Sequence, residues 1–366
     1  MNASLKEQLQ ADLQTWQAAG LKRSLTSAEG LDFTSNDYFG FTRRPEVIEA
    51  AKQALEDGGA GAGAARLLRG NLDWHKEAEQ CAAQWLGSEA ALLFPSGYQA
   101  NLALLTALPQ KGDLILSDER NHASIIDGCR LSRAGVAVFP HQDLDALKNI
   151  LGAQRGECKR CWIVMERVYS MDGAMAALDE VLALAERFDA SVLLDEAHAA
   201  GLFSPLPKHP ALVASVVTGG KALGSAGAFI CSSQLIIDWC INKARPFVFT
   251  TAPPPAVCAA LTAAIKVIQT EPQLAESTLE NAQTLRRLLA QAGVSSGGES
   301  AIVPVVIGEE SLAMQVAAKV REKGFDVRAV RPPAVPTGTS RLRIVCHSNH
   351  TSRQLEGLAD AIAESI

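Results

Sequence analysis

The sequence predicts an α/β fold, in which a large domain with a mostly parallel central sheet is followed by a small α+β domain. First, short apolar runs alternate with helical patterns through the middle of the chain, as in parallel sheets covered by helices. Second, these runs lack regular apolar–polar alternation, as expected for strands buried on both faces. Third, after about Ser296 the order changes to strand, helix, two strands and helix, which indicates a separate α+β domain.

The large domain follows an amino-terminal helix and a short strand within residues 31–40. A helix with apolar spacing begins after Pro45 and ends at Gly58-Gly59, and another is expected at Leu178–Phe188. The strands predicted for this domain are Ala90–Leu93, Asp113–Leu116, Val136–Phe139, Trp162–Met165, Ser191–Leu194, Ser215–Val217 and Ala228–Cys231. We divide the chain into an amino-terminal helix and arm (1–44), the large domain (45–270) and the small domain (271–366).

Two long helices connect to the small domain. One begins at Pro253-Pro254-Pro255 and runs to about Thr270, and the other covers about Leu274–Gly293. The elements predicted beyond them are strands Ile302–Ile307, Asp326–Ala329 and Arg341–Val345, with helices at 311–323 and 352–364.

Composition and charge exclude several classes of protein. The chain has 366 residues, 48% of them hydrophobic and 20% charged, and a net charge of −6, which suits a globular protein without a nucleic-acid-binding surface. No apolar run approaches the roughly 20 residues of a membrane helix. The polar amino-terminal helix also lacks the apolar core of a signal peptide. We therefore expect a cytoplasmic protein with neither nucleic-acid nor membrane partners.

Eight cysteines are scattered without the spacing of a disulfide framework, which suits a reducing compartment. Cys158 and Cys161 have CxxC spacing, but no second pair of cysteines or histidines follows at zinc-ligand spacing. The pair precedes a strand, whereas a thioredoxin-type redox pair opens a helix. We expect a solvent-facing loop there and no metal site.

The most informative stretch is Val217–Gly227, which places Lys221 among small residues directly after an apolar strand pattern. The glycines let a flat ligand approach the backbone. A second stretch, Ser191–His198, is an apolar strand ending at Asp195. A lysine and an acid at different strand ends suit pyridoxal 5'-phosphate (PLP), which binds a lysine covalently and pairs its pyridinium nitrogen with a carboxylate. Lys221 alone is more typical of a surface lysine in a glycine-rich turn, but the two motifs together favour PLP.

Other polar stretches also follow predicted strands. The loop Pro95–Asn101 opens a helix whose first backbone N–H groups could hold a phosphate. His122 could stack on a planar cofactor, and Ser170 and Asp172 could contact a polar ligand. Alone, the first and last of these stretches are equally typical of an ordinary turn, and a lone histidine is more often a helix cap or a surface residue. Because ligands bind at the carboxyl edge of open α/β sheets, we expect one common site.

These motifs together resemble those of the α-oxoamine synthases, fold-type I PLP-dependent transferases that condense an amino acid with an acyl thioester and release carbon dioxide. The resemblance runs nearly end to end, and Val330–Pro336 is similar to the biotin-synthesis branch of the family. The segments that carry the resemblance are Ser35–Tyr38, Gly61–Gly63, Arg66–Leu68, His75, Phe94–Tyr98, Asn121–Ser124, Tyr169–Gly173, Asp195–His198, Thr218–Ala222, Thr250–Pro254 and Val330–Pro333.

The resemblance implies a role for each candidate residue. Lys221 binds PLP and removes the Cα proton of the amino acid, Asp195 pairs with the pyridinium nitrogen, and His122 stacks on the ring. The other contacts implied are His198 and Ser170 with the phenolate side of the ring, Gly97, Tyr98 and Thr218 with the phosphate, Thr251 from the second subunit of a homodimer, Arg331 with the amino-acid carboxylate, Arg23 with the acyl substrate, and Ala334 near the substrate.

The activity implied is the condensation of L-alanine with a pimeloyl thioester of coenzyme A or acyl carrier protein, at a site on the homodimer interface. The alternative is another α-oxoamine synthase that uses a different acyl thioester or glycine. A silent relative that only binds a partner would lack Lys221 or Asp195. A dehydrogenase would have a GxGxxG motif opening a helix after a strand, which this sequence lacks.

Three features depart from the family pattern. Prolines occupy the segment 199–210 where the family has a glycine-rich run, Ala174 replaces an acid, and Ala334 replaces a threonine near the substrate. Prolines stiffen a loop that glycines would leave mobile. Because Lys221 and Asp195 are retained, we expect these changes to affect the choice of acyl substrate rather than cofactor binding.

Overall fold

The computed structural model describes residues 2–366, and no helix within them is long and apolar enough to cross a membrane. The strands are β1 (Leu31–Asp32), β2 (Ala90–Phe94), β3 (Leu114–Asp118), β4 (Gly135–Phe139), β5 (Cys161–Glu166), β6 (Ala190–Asp195), β7 (Leu212–Thr218), β8 (Ala228–Ser232), β9 (Ile302–Gly308), β10 (Phe325–Asp326), β11 (Arg328–Val330) and β12 (Ser340–Val345). The helices are α1 (Ala3–Ala18), α2 (Pro45–Gly58), α3 (Asp73–Leu86), α4 (Gly97–Ala107), α5 (Ala123–Leu131), α6 (Leu144–Gln154), α7 (Leu178–Arg187), α8 (Gln234–Lys243), α9 (Arg245–Val248), α10 (Pro255–Thr270), α11 (Gln273–Gln291), α12 (Glu310–Glu322) and α13 (Ser352–Ala363).

Seven strands form the large sheet, in the order β2-β8-β7-β6-β5-β3-β4. The strands from β7 to β4 run parallel, and β8 is antiparallel to both of its neighbours. Every residue of β3, β5 and β8 is buried, which explains their unbroken apolar runs, whereas the edge strand β4 exposes Val136 and Val138. The predicted α/β class with a mostly parallel sheet is confirmed, and each predicted strand of the sheet overlaps an observed one.

Alternate side chains of the central strands enter two hydrophobic cores. Ile115 and Val164 pack in a core with residues of α4 and α5. Their neighbours in sequence, Leu116 and Ile163, pack in a second core with residues of α6 and α7. Because successive side chains of a strand point to opposite faces, the sheet is covered by helices on both sides.

The chain divides into two compact units. One comprises the chain up to Ser35, Met171–Ala174 and Leu279–Ile366, and the other comprises Asn36–Ser170 and Met175–Thr278. In the first unit, β11, β12 and β9 form an antiparallel sheet, and β1 pairs in parallel with β10. The single strand expected at Asp326–Ala329 is divided between β10 and β11. The division into three domains at residues 44 and 270 stays a prediction.

The expected solvent-facing loop at the CxxC pair is wrong for Cys161. This residue is the first of β5, is 1% exposed and belongs to the core beside α6 and α7. Cys158 is half-buried, and its Sγ lies 3.4 Å from the carbonyl oxygen of Arg155. A reduced cysteine packs like a small apolar side chain, so β5 begins one residue before the predicted run.

Candidate active site

The candidate site lies at the carboxyl edge of the parallel strands, in the unit that contains the large sheet. β5, β6 and β7 end at Glu166, Asp195 and Thr218, and the side chains beyond these ends line a cavity of about 380 Å³. The predicted residues that line it are Gly97, Tyr98, His122, Asp195, His198, Thr218 and Lys221. Asn101, Ser124 and Glu166, to which the sequence assigned no role, line it as well.

Lys221 is held by a compact loop between β7 and β8. The N–H of Gly219 donates to the carbonyl of Gly227 at 2.8 Å, and the N–H of Ser225 donates to the carbonyl of Gly219 at 2.9 Å. A Cβ on Gly219 would lie 2.3 Å from the carbonyl oxygen of Ala226, so a residue with a side chain could not close the loop this way. The small residues around Lys221 are therefore required by the packing, and the lysine is half-buried at the cavity wall.

The amino terminus of α4 forms another wall. Ser96 caps the helix by accepting the N–H of Gln99 at 3.3 Å, and Gly97 is the first helical residue. A Cβ on Gly97 would lie 2.4 Å from Cγ2 of Thr218, so only glycine allows these two residues to approach so closely. The N–H groups of a first helical turn lack partners within the helix, and with the helix dipole they make this position suitable for a phosphate.

Asp195 is buried, and both of its carboxylate oxygens accept hydrogen bonds. Oδ1 accepts the backbone N–H of Ala197 at 2.8 Å, and Oδ2 accepts the side-chain amide of Asn101 at 2.7 Å. These two donors hold the carboxylate in one plane at the end of β6.

His122 is the N-cap residue of α5. Its Nδ1 accepts the backbone N–H of Ser124 at 3.2 Å and lies 2.8 Å from the hydroxyl of the same residue. Burial lowers the pKa of His122, and the charge of Lys221 lowers it further, against the opposing effect of Asp195. The lowered pKa favours the neutral imidazole, the form that suits a ring stacked on a planar cofactor.

His198 is buried at the opposite end of the Asp195–His198 motif. The hydroxyl of Tyr38 lies 2.7 Å from Nδ1 of His198, and the two rings meet edge to face. The sequence identified Tyr38 only as part of a family segment, and this contact gives it a structural function.

Glu166 is a buried carboxyl group at the end of β5, and no sequence motif predicted a role for it. It is 2% exposed, and burial first, then the neighbouring charge of Asp195, raise its pKa well above the ordinary range against the opposing charge of Lys221. The backbone N–H groups of His122 and Ser170 donate to it, while its Oε1 has no hydrogen-bond partner among the described residues. One acid thus holds together the loops that carry two predicted cofactor contacts.

Two predicted cofactor contacts, Ser170 and Thr251, do not line this cavity. Ser170 is buried, whereas Thr251 is exposed and forms an isolated antiparallel bridge with Ala65. Its predicted role, which requires a second subunit, stays a prediction.

The three predicted substrate residues lie together in the other unit. Arg23, Arg331 and Ala334 line one cavity of about 600 Å³, and Arg331 donates to the carbonyl oxygen of Gly20. Lys22, Arg321 and Arg328 add positive charge to its wall, and Met171, Met314, Ala317 and Val330 add apolar surface. Of these cations, Arg328 is paired with Asp326. The cavity suits a ligand that combines apolar and anionic parts.

The first cavity has the groups that PLP requires. Lys221 provides an amine for the aldehyde carbon, Asp195 an acceptor for a protonated ring nitrogen, and the start of α4 an anion site for the phosphate. The volume of about 380 Å³ lies in the range of small-molecule sites. The close approach of Gly97 to Thr218 leaves room only for bare backbone at this end of the cavity.

Comparison with known proteins also indicates a PLP-dependent enzyme. The model of the aminotransferase class I and II family matches residues 28–362. The 8-amino-7-oxononanoate synthase of Methylobacterium nodulans is 41% identical over 377 aligned positions, covering 100% of this chain and 98% of the relative. The synthase of the same name from Anaeromyxobacter dehalogenans is 40% identical over 375 positions, covering 96% and 94%.

Solved structures agree over nearly the whole chain. A serine palmitoyltransferase from S. paucimobilis, bound to PLP and myriocin, superposes with a TM-score of 0.91 at 30% identity, covering 100% of this chain and 98% of that one. The 8-amino-7-oxononanoate synthase of Francisella tularensis superposes with a TM-score of 0.78 at 26% identity, covering 92% and 97%. The fold-type I architecture and the dependence on PLP are therefore established. The chain belongs to the aminotransferase class I and II family and, within it, to the PLP-dependent α-oxoamine synthases.

Proposed function

We propose that this enzyme condenses L-alanine with a pimeloyl thioester, giving 8-amino-7-oxononanoate, carbon dioxide and a free thiol, as a step of biotin biosynthesis. The proposed chemistry rests on one observation: Lys221, Asp195 and His122 line the same cavity. The choice of substrates is supported by the names of relatives at 40–41% identity and by the cationic, partly apolar cavity around Arg23 and Arg331.

The proposed roles at the reacting centre follow from charge. When bound, PLP supplies an electron sink for the negative charge that forms at Cα of the amino acid. Asp195 holds a proton on the ring nitrogen, since an opposite charge that close shifts a pKa by about 1–3 units, or roughly 1.4–4 kcal/mol. Lys221 holds the cofactor covalently in the resting enzyme. Once free of the cofactor, the Nζ of Lys221 would take the proton from Cα of the amino acid.

Other residues hold and shield the ring in this proposal. The neutral imidazole of His122 stacks on one face and keeps water from it. His198, oriented by Tyr38, and Ser170 hydrogen-bond the phenolate oxygen. The N–H groups of Gly97 and Tyr98 and the hydroxyl of Thr218 hold the phosphate at the start of α4.

The substrates are proposed to use the positive charges of the second cavity. Arg331 binds the carboxylate of alanine, because a guanidinium can bind both oxygens at once. Arg23 meets the acyl substrate, and Ala334, which lines the same cavity, leaves room beside it. The acyl carrier is coenzyme A or acyl carrier protein, since either leaves as a thiol.

A second candidate is another α-oxoamine synthase, with a different acyl thioester or with another amino acid such as glycine. One observation favours it: the superposition on serine palmitoyltransferase has the higher TM-score, 0.91 against 0.78 for the synthase of Francisella tularensis. The proline-containing segment 199–210 and Ala334 point in the same direction, because they change positions that the family uses near the acyl substrate.

Product analysis distinguishes these candidates. The protein with PLP is incubated with L-alanine, glycine or L-serine, each with pimeloyl-, acetyl- or palmitoyl-coenzyme A, and L-alanine is also tested with pimeloyl-acyl carrier protein. Mass spectrometry should find 8-amino-7-oxononanoate only with alanine and a pimeloyl thioester. No product from that pair would contradict the proposed substrates, and a product from another pair would identify the second candidate.

The role of Lys221 is tested separately. Borohydride reduction of the PLP-loaded protein, followed by proteolysis, should leave a pyridoxyl group on the peptide that contains Lys221. The Lys221→Ala variant should carry no such group and should lose at least about 10²- to 10⁴-fold in kcat, the usual effect of a missing acid–base residue.

We also propose a homodimer in which Thr251 reaches the PLP site of the partner. Thr251 and Phe249 are exposed, and α1 exposes Leu5, Leu9 and Leu13 at a spacing of four residues. Apolar surface of this kind is typical of an interface. Light scattering should give twice the monomer mass, and Thr251→Ala should weaken PLP binding without changing that mass.

We further propose that the enzyme works in the cytoplasm. All eight cysteines are free thiols, and most of them are buried in the core. Free thiols in this number suit a reducing compartment. Cell fractionation with a tagged protein should recover the activity in the cytoplasmic fraction, and recovery from an oxidising compartment would contradict the proposal.

A further inference from the structure

Asn101 connects two of the proposed cofactor contacts through one side-chain nitrogen. It lies in α4, one helical turn after Gly97, and is 5% exposed. Its Nδ2 donates to Oδ2 of Asp195 at 2.7 Å and to Oγ of Ser124 at 3.0 Å. A primary amide carries two N–H groups, so both hydrogen bonds can form at once. A buried amide is tolerated in a helix only when it is bonded in this way.

The hydrogen bond to Ser124 leads on to His122. Because the Oγ of Ser124 accepts an N–H of Asn101, its own hydrogen can point to Nδ1 of His122, 2.8 Å away. The backbone N–H of Ser124 also donates to Nδ1, at 3.2 Å. Nδ1 is therefore an acceptor, and this network assigns the imidazole hydrogen to Nε2.

Asn101 completes the hydrogen bonding of Asp195 on the other side. Oδ1 of Asp195 is bound by the N–H of Ala197, so Oδ2 would lack this donor without Asn101. An amide also suits the place because it does not titrate. An acid at this position would add a third carboxyl group beside Asp195 and Glu166, both of which line the same cavity.

We propose that Asn101 is a positioning residue that fixes the Asp195 carboxylate and, through Ser124, the orientation of the His122 ring. The inference rests on the proposed roles of Asp195 and His122 toward PLP and does not depend on the acyl substrate. Without Asn101, the carboxylate can rotate away from the ring nitrogen, and the hydroxyl of Ser124 loses the partner that directs it to His122.

Four variants test this network. Asn101→Leu has a similar volume without the amide, and Asn101→Ser is a second variant in case the first does not fold. Ser124→Ala breaks only the branch to His122. Gln99→Leu is the matched control, since it removes an amide from the same helix outside the network. The measurements are the Kd of PLP, the pH midpoint of the visible absorbance of the bound cofactor, and far-UV circular dichroism as a check of folding.

Asn101→Leu should raise the Kd of PLP about tenfold or more, as expected for the loss of a hydrogen bond to a charged group. The pH midpoint should also rise. A positive charge held less firmly on the ring nitrogen repels the proton on the nitrogen that links PLP to Lys221 less strongly, so this proton is lost at a higher pH. Ser124→Ala should raise the Kd while leaving the midpoint near that of the wild type, and Gln99→Leu should change neither.

A folded Asn101→Leu protein with the Kd and midpoint of the wild type would overturn the inference. If that variant does not fold, Asn101→Ser decides by the same two measurements. Failure of the wild type to bind PLP at Lys221 would overturn the proposed active site together with this network. If the wild type binds PLP normally and the Asn101 variants keep its Kd and pH midpoint, only the network is overturned. The two failures are therefore distinguishable.

Discussion

Glu166 and Asp195 are paired in register at the ends of the parallel strands β5 and β6, so two buried carboxyl groups stand side by side. Burial and the charge of Asp195 raise the pKa of Glu166, while Lys221 and the backbone N–H groups of His122 and Ser170 lower it less strongly. The raised pKa favours the neutral form of Glu166, and we propose that this residue holds the loops at His122 and Ser170 while Asp195 meets the ring nitrogen.

Glu166→Gln should keep this arrangement, because an amide oxygen accepts the same two N–H groups and carries no charge. We expect PLP affinity and kcat close to the wild type. Glu166→Ala leaves both N–H groups without their acceptor, at a free-energy cost of about 1–3 kcal/mol each, and should weaken PLP binding and lower thermal stability. Titration with PLP and thermal unfolding measure the effects. If Glu166→Gln and Glu166→Ala weaken PLP binding and thermal stability equally, Glu166 acts as a charged group instead.

Asp195→Asn should impair the reaction more than cofactor binding. Asparagine keeps the shape and can accept the N–H of Ala197, but it does not hold a proton on the ring nitrogen. The loss of roughly 1.4–4 kcal/mol corresponds to a fall in kcat of about 10- to 10³-fold. Steady-state kinetics and PLP titration separate the two effects. The exposed Asp179 in the first turn of α7 provides the control Asp179→Asn, and a loss no larger than in that control would contradict the role of Asp195.

The sequence was sufficient to locate Lys221, His122 and Asp195, because each stands in a local motif at a strand end and strand ends converge in an α/β sheet. It was not sufficient for Asn101. The hydrogen bonds of Asn101 join it to residues 23 and 94 positions away, and no periodic pattern records such contacts. The position of Glu166 depends on strand register, since a shift by one residue would turn its side chain to the other face of the sheet.

The fold shows the same difference between local patterns, which the sequence reveals, and contacts between residues far apart in sequence, which it does not. The buried strands β5 and β6 were predicted because their apolar runs are long enough to stand out. The pairing of β1 with β10 was not, since it joins two-residue strands nearly 300 positions apart. Within residues 325–330, Val327 separates β10 from β11 although the apolar pattern continues through it, so two strands were predicted as one.

Replacing the two arginines of the second cavity should separate their roles. Lysine keeps the charge but loses the planar fork that binds both oxygens of a carboxylate. Arg331→Lys should raise KM for alanine about tenfold, as for one lost charge-assisted hydrogen bond, and Arg23→Lys should raise KM for the pimeloyl thioester only. Initial rates with each substrate varied in turn measure the two constants. The exposed Lys319 of α12 provides a control, Lys319→Met, and a rise of the same KM in both arginine variants would contradict separate roles.

Glu196 should make the stability of the protein depend on pH. Burial raises the pKa of Glu196 to about 7, against the opposing charge of Arg167, whose Nη1 lies 3.3 Å from the carboxylate. Because this value lies above the ordinary 4.5, the native state binds more protons than the unfolded state between these two pH values. The free energy of unfolding should therefore be highest below about pH 4.5, as far as this group is concerned, and should fall as the pH rises toward about 7.

Urea denaturation of wild type and Glu196→Gln across that pH range tests the effect. The amide stays neutral, so the variant should lose less stability than the wild type as the pH rises. Glu180→Gln is the control, because Glu180 is exposed in α7 and its removal should leave the wild-type slope unchanged. Parallel curves for wild type and Glu196→Gln would mean that Arg167 holds Glu196 charged throughout, and that the two side chains form an ion pair at every pH tested.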